Sequence, residues 1–190
     1  MSQFWIYFQI GLKHVLDINA YDHVLFLIAL TVPYLFKDWK RIFLLVSLFT
    51  IGHTLALILS VYGIIAIKVN IVEFLIPITI LVTALYHLFT AGKTSKNDGV
   101  NLVFFITLFF GIIHGLGFSN YFKTILGGSA TSKLLPLGEF ALGIEVCSTS
   151  SSFCCSGNFI YSADCFSFFK TRLGTCNVGF YYWSCNSDDY

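Results

Sequence analysis

Charge is what this chain has least of. Only 11% of its 190 residues are Asp, Glu, Lys or Arg, against roughly 25% in an average soluble domain, and 56% are apolar. That balance excludes a disordered chain and argues against a soluble globule. The net charge is +1 with no basic block, which leaves out the electrostatic footprint of a nucleic-acid binder. Three prolines and no Gly/Ser linker argue against a second domain. Residues 1–146 contain no cysteine, and the chain has no CxxC, HxxxH or HExxH spacing, so the usual zinc motifs are missing. The start also lacks a basic segment ahead of an apolar one and a small-residue cleavage site, as a signal peptide would need. The first twenty residues are expected to stay in the mature protein.

What is present is long apolar runs, with a mean hydropathy of +0.78. Ile42–Ile67 holds no Asp, Glu, Lys or Arg, and in Val100–Phe118 the one titratable group is His114. Both have the length of a membrane-spanning helix. Ile71–Ala91 is a third candidate, with Glu73 near one end and His87 near the other. Tyr21–Phe36 is shorter; the cluster Lys37, Asp38, Trp39, Lys40, Arg41 stops it at an interface, and it spans if Ala20 and Trp39 lie at the headgroups. Leu134–Val146 begins a fifth span that breaks off early. In residues 1–20, apolar positions are interrupted by Gln3, Gln9, Lys13, His14 and Asp17, a pattern that suits an interfacial or re-entrant helix. Continuous runs rule against a barrel, whose strands alternate. The fold class is all-α, a polytopic transmembrane helix bundle of about five spans, occupying residues 1–146.

Residues 147–190 differ abruptly: all six cysteines and nine serines fall there. Cys154 and Cys155 are adjacent, which gives little support to a disulfide-rich appendix. A reading-frame change explains the break better. Read one base later, a Cys codon or an AGY Ser codon becomes Val or Ala, so polar residues turn apolar. With permissible codons the shifted reading from codon 147 is an apolar span, a basic turn and a second apolar span without a stop. The tail is expected to be an out-of-frame reading of the last spans, and the intact form to have six. Loops one and three carry Lys37, Lys40, Arg41, Lys93 and Lys96, against Lys68, Lys123 and Lys133 in loops two and four. This predicts odd loops in the cytoplasm and an external N-terminus in the cell (plasma or inner) membrane.

Ionisable groups inside spans are costly and call for a reason. The candidates are Asp22 and His23 opening the first span, His53 in the second, His87 late in the third, His114 in the fourth, and Glu139 and Glu145 in the fifth. Imidazole with carboxylate is the donor set of a borderline divalent ion such as Ni, Co, Zn or Cu, whereas Mg and Ca take oxygen. Ser47, Thr50 and Thr54 recur at helical spacing beside His53, giving a stripe that faces protein or water. Gly111 and Gly115 form a GxxxG that lets a neighbouring helix approach and turns His114 into a helix–helix contact; Gly138 and Gly143 can act likewise beside Glu139 and Glu145. The plainer readings are buried hydrogen-bonding histidines, a helix-end His87, a first-turn Asp22, and an exposed interfacial face for Lys13, His14 and Asp17.

Four blocks then resemble a known family in order: Gly11-Leu-Lys-His14 with Ala20-Tyr-Asp22-His23-Val-Leu-Phe-Leu; Phe49-Thr-Ile-Gly-His53-Thr-Leu; Phe110-Gly-Ile-Ile-His114-Gly-Leu-Gly-Phe118; and Leu137-Gly-Glu139-Phe-Ala-Leu-Gly143-Ile-Glu145. Over residues 11–146 the chain resembles the HupE/UreJ family of small membrane proteins. The resemblance implies a nickel or cobalt permease, or an accessory protein of hydrogenase and urease operons. It also implies metal-handling roles for His14, Asp22, His23, His53, His114 and Glu145. Glu139 joins them as the second carboxylate of the fifth span.

The expected function is binding and translocation of a divalent transition-metal ion, nickel or cobalt ahead of zinc, along a His/carboxylate path. Asp22 and His23 capture the ion, His53 and His114 hand it inward, and Glu145 balances charge. Expected partners are the lipid bilayer, the ion and metalloenzyme maturation machinery, with no nucleic acid. Rival readings are a membrane-embedded zinc hydrolase, a haem-binding electron-transfer subunit using His53 and His114, and an accessory bundle without a ligand.

Overall fold

A computed structural model describes residues 3–17, 21–34, 36–90, 98–126 and 133–156. The position expected for Ala20, the third-loop lysines Lys93 and Lys96, and the chain beyond Ser156 lie outside the described residues. The described residues form α-helices and one 3-10 turn, without a strand: α1 (Gln3–Val15), α2 (Asp22–Thr31), the turn Phe36–Asp38, α3 (Trp39–Val61), α4 (Val69–Thr90), α5 (Asp98–Leu126) and α6 (Leu134–Ser156). α3, α4 and Leu102–Leu126 of α5 are each long and apolar enough to cross a membrane. The chain is a multi-pass, all-α membrane bundle.

About five spans were expected, the first short and the fifth broken off at Val146, and these two come out differently. α2 ends at Thr31, two residues before Pro33; Val32 keeps helical dihedrals and donates to the Ile28 carbonyl at 3.0 Å, and Pro33 has no N–H to continue the ladder. The first twenty residues supply what α2 lacks. Tyr7 lies 6.3 Å from Phe122, His14 3.8 Å from Phe118, His23 5.1 Å from His114 and Phe26 6.2 Å from Phe110, ring to ring. Rising along α1 and then α2 thus means falling along α5. The two short helices form one interrupted helix antiparallel to α5; at 1.5 Å per residue their lengths are roughly 20 and 15 Å, together about one bilayer core. α6 does not stop at Val146. It continues to Ser156, with Ser150 returning its hydroxyl to the Val146 carbonyl at 2.8 Å.

α3 ends in a Schellman motif. Gly63, at φ +74°, follows the cap residue Tyr62, and the N–H groups of Gly63 and Ile64 donate to the carbonyls of Ser60 (3.0 Å) and Leu59 (2.9 Å).

Lipid gives helices no hydrophobic reason to associate, so contact depends on close packing of small residues. α3 and α5 meet through Gly52, Gly111 and Gly115. A Cβ on Gly52 would run into the Leu108 carbonyl oxygen, one on Gly111 into that of Phe49, and one on Gly115 into that of His53. The GxxxG of α5 therefore acts as its sequence suggested. α1 and α6 repeat the arrangement: a Cβ on Gly11 would strike the Phe140 carbonyl, and one on Gly143 the Phe8 carbonyl. The repeat is visible in the residues, Phe8-Gln-Ile-Gly11 on α1 matching Phe49-Thr-Ile-Gly52 on α3. Gly138 departs from expectation, since open space surrounds its Cβ position.

Gly111→Ala and Gly138→Ala add the same methyl group in opposite surroundings. The first is expected to cost about 1–3 kcal/mol through forced separation of backbones, and the second to stay within about 0.5 kcal/mol. Thermal unfolding of the detergent-purified chain, monitored by circular dichroism, measures both; equal losses would contradict the α3–α5 contact.

A candidate metal centre of histidines

Four histidines from four helices converge where α1 gives way to α2. His14 lies in the last turn of α1 and His23 in the first turn of α2, while His53 and His114 lie well inside α3 and α5. His53 directly follows Gly52 and His114 directly precedes Gly115, so the close α3–α5 crossing fixes both. The ligand atoms of His14, His23 and His53 lie within 4.8 Å of one another. The His114 ring sits 5.1 Å from that of His23, nearly edge-on at 88°. His23, His53 and His114 are buried and His14 is half-buried. His14 therefore does not belong to an exposed interfacial face: it packs against His23, His53 and Phe118.

Phenylalanines wall the group. Phe118 lies 3.8 Å from His14, tilted by 40°, Phe49 lies 5.8 Å from His23 and 5.3 Å from His114, Phe26 is 5.3 Å from His114, and Phe140 is 6.2 Å from His53. Within this wall Nε2 of His14, Nε2 of His23, both ring nitrogens of His53 and Nδ1 of His114 are buried without a hydrogen-bond partner. A buried polar atom left unpaired costs about 1–3 kcal/mol, and several converging lone pairs meet that cost by sharing a cation. The three imidazoles of His14, His23 and His53 are able to coordinate a metal ion, and their nitrogen donors suit a borderline divalent ion.

The remaining expected residues lie apart from this triad. Asp22, partly buried, opens α2 beside His23. Glu139 is buried, with Oε2 unpartnered. Glu145 accepts a 2.6 Å hydrogen bond from the Ser47 hydroxyl, its other oxygen buried without a partner. Ser47, Thr50, Thr54 and Glu145 line a groove of about 460 Å³ between α3 and α6. His87 packs against Tyr34 and Tyr86 at 6.2 and 5.4 Å, away from the centre. Burial pushes the Tyr34 phenol above its ordinary pKa, against the opposing pull of Arg41.

Sequence reasoning missed the phenylalanine wall and Thr79. The wall had a signal: Phe49 and Phe118 stand four residues from His53 and His114, and Phe26 three from His23, all same-face spacings. Thr79 had none. Its oxygen lies 3.4 Å from Nε2 of His114.

The family profile described as HupE / UreJ protein matches residues 1–154, a wider stretch than the motif blocks alone cover. No curated protein and no solved structure matches the chain.

Ser47→Ala is expected to destabilise the protein by about 1–3 kcal/mol, because it strands the Glu145 carboxylate. Ser47→Ala combined with Glu145→Leu should recover most of that loss, since removing both partners leaves no orphan. Denaturant or thermal unfolding of the three proteins reads the cycle; a double variant as unstable as the single one would show that Glu145 has another essential partner.

Proposed function

The chain belongs to the HupE/UreJ family, and from that premise we propose that it binds a divalent transition-metal ion, nickel or cobalt, and carries it across the membrane. The observation behind this reading is the convergence of His14, His23 and His53 from three separate helices within 4.8 Å. Membrane proteins hold ions where helices are interrupted at depth, because irregular backbone is tolerated there only when it lines a site. In this reading Asp22 and His23 capture the ion, His14, His23 and His53 hold it, His53 and His114 hand it inward, and Glu139 and Glu145 balance its charge. Transport needs binding weak enough to release, which a neutral imidazole shell without thiolates allows. The N-terminus is external, and the ion is delivered to metalloenzyme maturation machinery in the cytoplasm.

His53→Ala and His114→Ala test the centre. Each should weaken Co2+ binding to the purified chain roughly 10- to 100-fold and abolish metal uptake by cells expressing it. Unchanged uptake at matched protein levels would remove the core of the reading. Three histidines also make the ligand set of a catalytic zinc with an open fourth position, which favours a hydrolase as second reading. Tightly held zinc together with ester hydrolysis by the purified protein would select it.

We further propose that residues 147–190 are an out-of-frame reading of the last spans. The hydroxyls of Ser148, Thr149 and Ser152 are buried without partners, an arrangement that costs about 1–3 kcal/mol for each. The shifted frame allows Leu at Thr149 and Val at Ser152. Sequencing the coding DNA across Val146 and Cys147 is expected to show one base gained or lost; an intact frame without the apolar alternative would make the serine-rich tail native.

A further inference from the structure

α4 is the helix with least reason to touch the histidine centre. It fully buries only Val72, Thr79 and Thr83 among its described residues, with Leu75, Ile76, Ile80 and Tyr86 partly buried against the core. Yet one of those three lies against His114, and its hydrogen bonds determine the chemical state of that imidazole.

Thr79 has one hydroxyl hydrogen, and it is directed to the carbonyl oxygen of Ile76 at 2.6 Å. Toward His114 the same oxygen therefore offers only a lone pair. The 3.4 Å contact between Thr79 Oγ1 and His114 Nε2 is attractive only if the ring nitrogen carries the hydrogen and donates it. A neutral imidazole holds one N–H. With Nε2 protonated, Nδ1 is bare, and Nδ1 is the atom that is buried without a partner, on a ring 5.1 Å from that of His23 but outside the 4.8 Å triad. Thr83 steadies the arrangement, its hydroxyl donating to the Thr79 carbonyl at 2.9 Å. Both threonines are almost fully buried, so no competing solvent hydrogen bond relaxes the constraint.

We propose that Thr79 is a positioning residue that locks His114 in the Nε2–H tautomer and so keeps Nδ1 bare as a fourth nitrogen donor that closes onto an ion held by His14, His23 and His53. Metal-bound histidines commonly owe tautomer and ring orientation to a partner on the other nitrogen. Here that partner is a hydroxyl on a helix that contributes no histidine to the centre. The inference rests on the metal reading for its purpose; the tautomer itself does not.

Two measurements separate these. In the metal-free, full-length protein labelled with 15N-histidine, His114 should show a protonated Nε2 and a bare Nδ1, its resonances assigned by their loss in His114→Gln. Thr79→Ser should keep that signature and Thr79→Val should convert it to a tautomer mixture. A protonated Nδ1 in the parent protein, or no change in Thr79→Val, overturns the lock whether or not any metal binds. In the Co2+-loaded protein, Thr79→Val should weaken binding about 10-fold or more and alter the visible ligand-field bands, with Thr79→Ser restoring both. Combining Thr79→Val with His114→Ala should add nothing to the loss from His114→Ala alone. Parent-level Co2+ binding in Thr79→Val overturns the fourth-donor role, while failure of the parent protein itself to bind Co2+ overturns the metal reading and that role together, leaving the tautomer to stand on the 15N signature.

Discussion

The close approach of α3 and α5 governs the rest of the molecule. In lipid the apolar side chains of two helices gain little by leaving one environment for its equal, so backbone proximity through glycine has to hold the pair. Gly52, Gly111 and Gly115 bring carbonyl oxygens of each helix to positions that any side chain would occupy. His53 and His114 are immediate neighbours of these glycines, and the contact that builds the bundle also sets the imidazoles. The α1–α6 crossing copies it through Gly11 and Gly143, with His14 three residues beyond Gly11 on the same helix. A slip of one turn in either crossing, about 5.4 Å, exceeds the spacing of the ligand atoms and would take the group apart.

Much of this was legible in the residues. Long apolar runs gave α3, α4 and α5, because a continuous run needs no tertiary information to be recognised. GxxxG gave the α5 contact, and the rarity of imidazole in such runs pointed to His23, His53 and His114. The interrupted helix was harder to read. Gln3, Gln9 and Lys13 give α1 the polarity of an interfacial segment, and nothing in a local pattern tells such a segment from half of a broken helix. What decides it is the sequence of ring contacts down α5, which is long-range. Glu145 illustrates the same limit: its partner Ser47 is 98 residues away, and helical periodicity says only which face each occupies. Thr79 stands in an apolar run where a hydroxyl is ordinary.

The phenylalanine wall and the unpartnered nitrogens belong to one design. Phe118 and Phe140 stack within 2° of parallel and, with Phe26 and Phe49, leave the imidazoles little polar company. Such surroundings favour neutral rings, whose lone pairs are free to coordinate. They also make a half-satisfied polar group expensive, so the histidines can hold their places only if packing fixes them. The two glycine crossings supply that fixity. An ion meeting this group finds donors already converged and needs little rearrangement to bind.

The break between α1 and α2 adds an electrostatic asymmetry. α1 ends at Val15 with His14 in its last turn, so the negative end of its dipole lies toward the centre and favours a cation there. α2 begins at Asp22, and its positive end lies toward the same place, which alone would repel the cation by a comparable amount. Asp22 occupies the first turn of α2, where a carboxylate offsets that partial positive charge. Besides its proposed part in capture, the carboxylate thus leaves the attraction of α1 unopposed. An uninterrupted helix in the place of α1 and α2 would have had neither terminus at this depth, and the field of the α1 C-terminus would be missing from the histidine group.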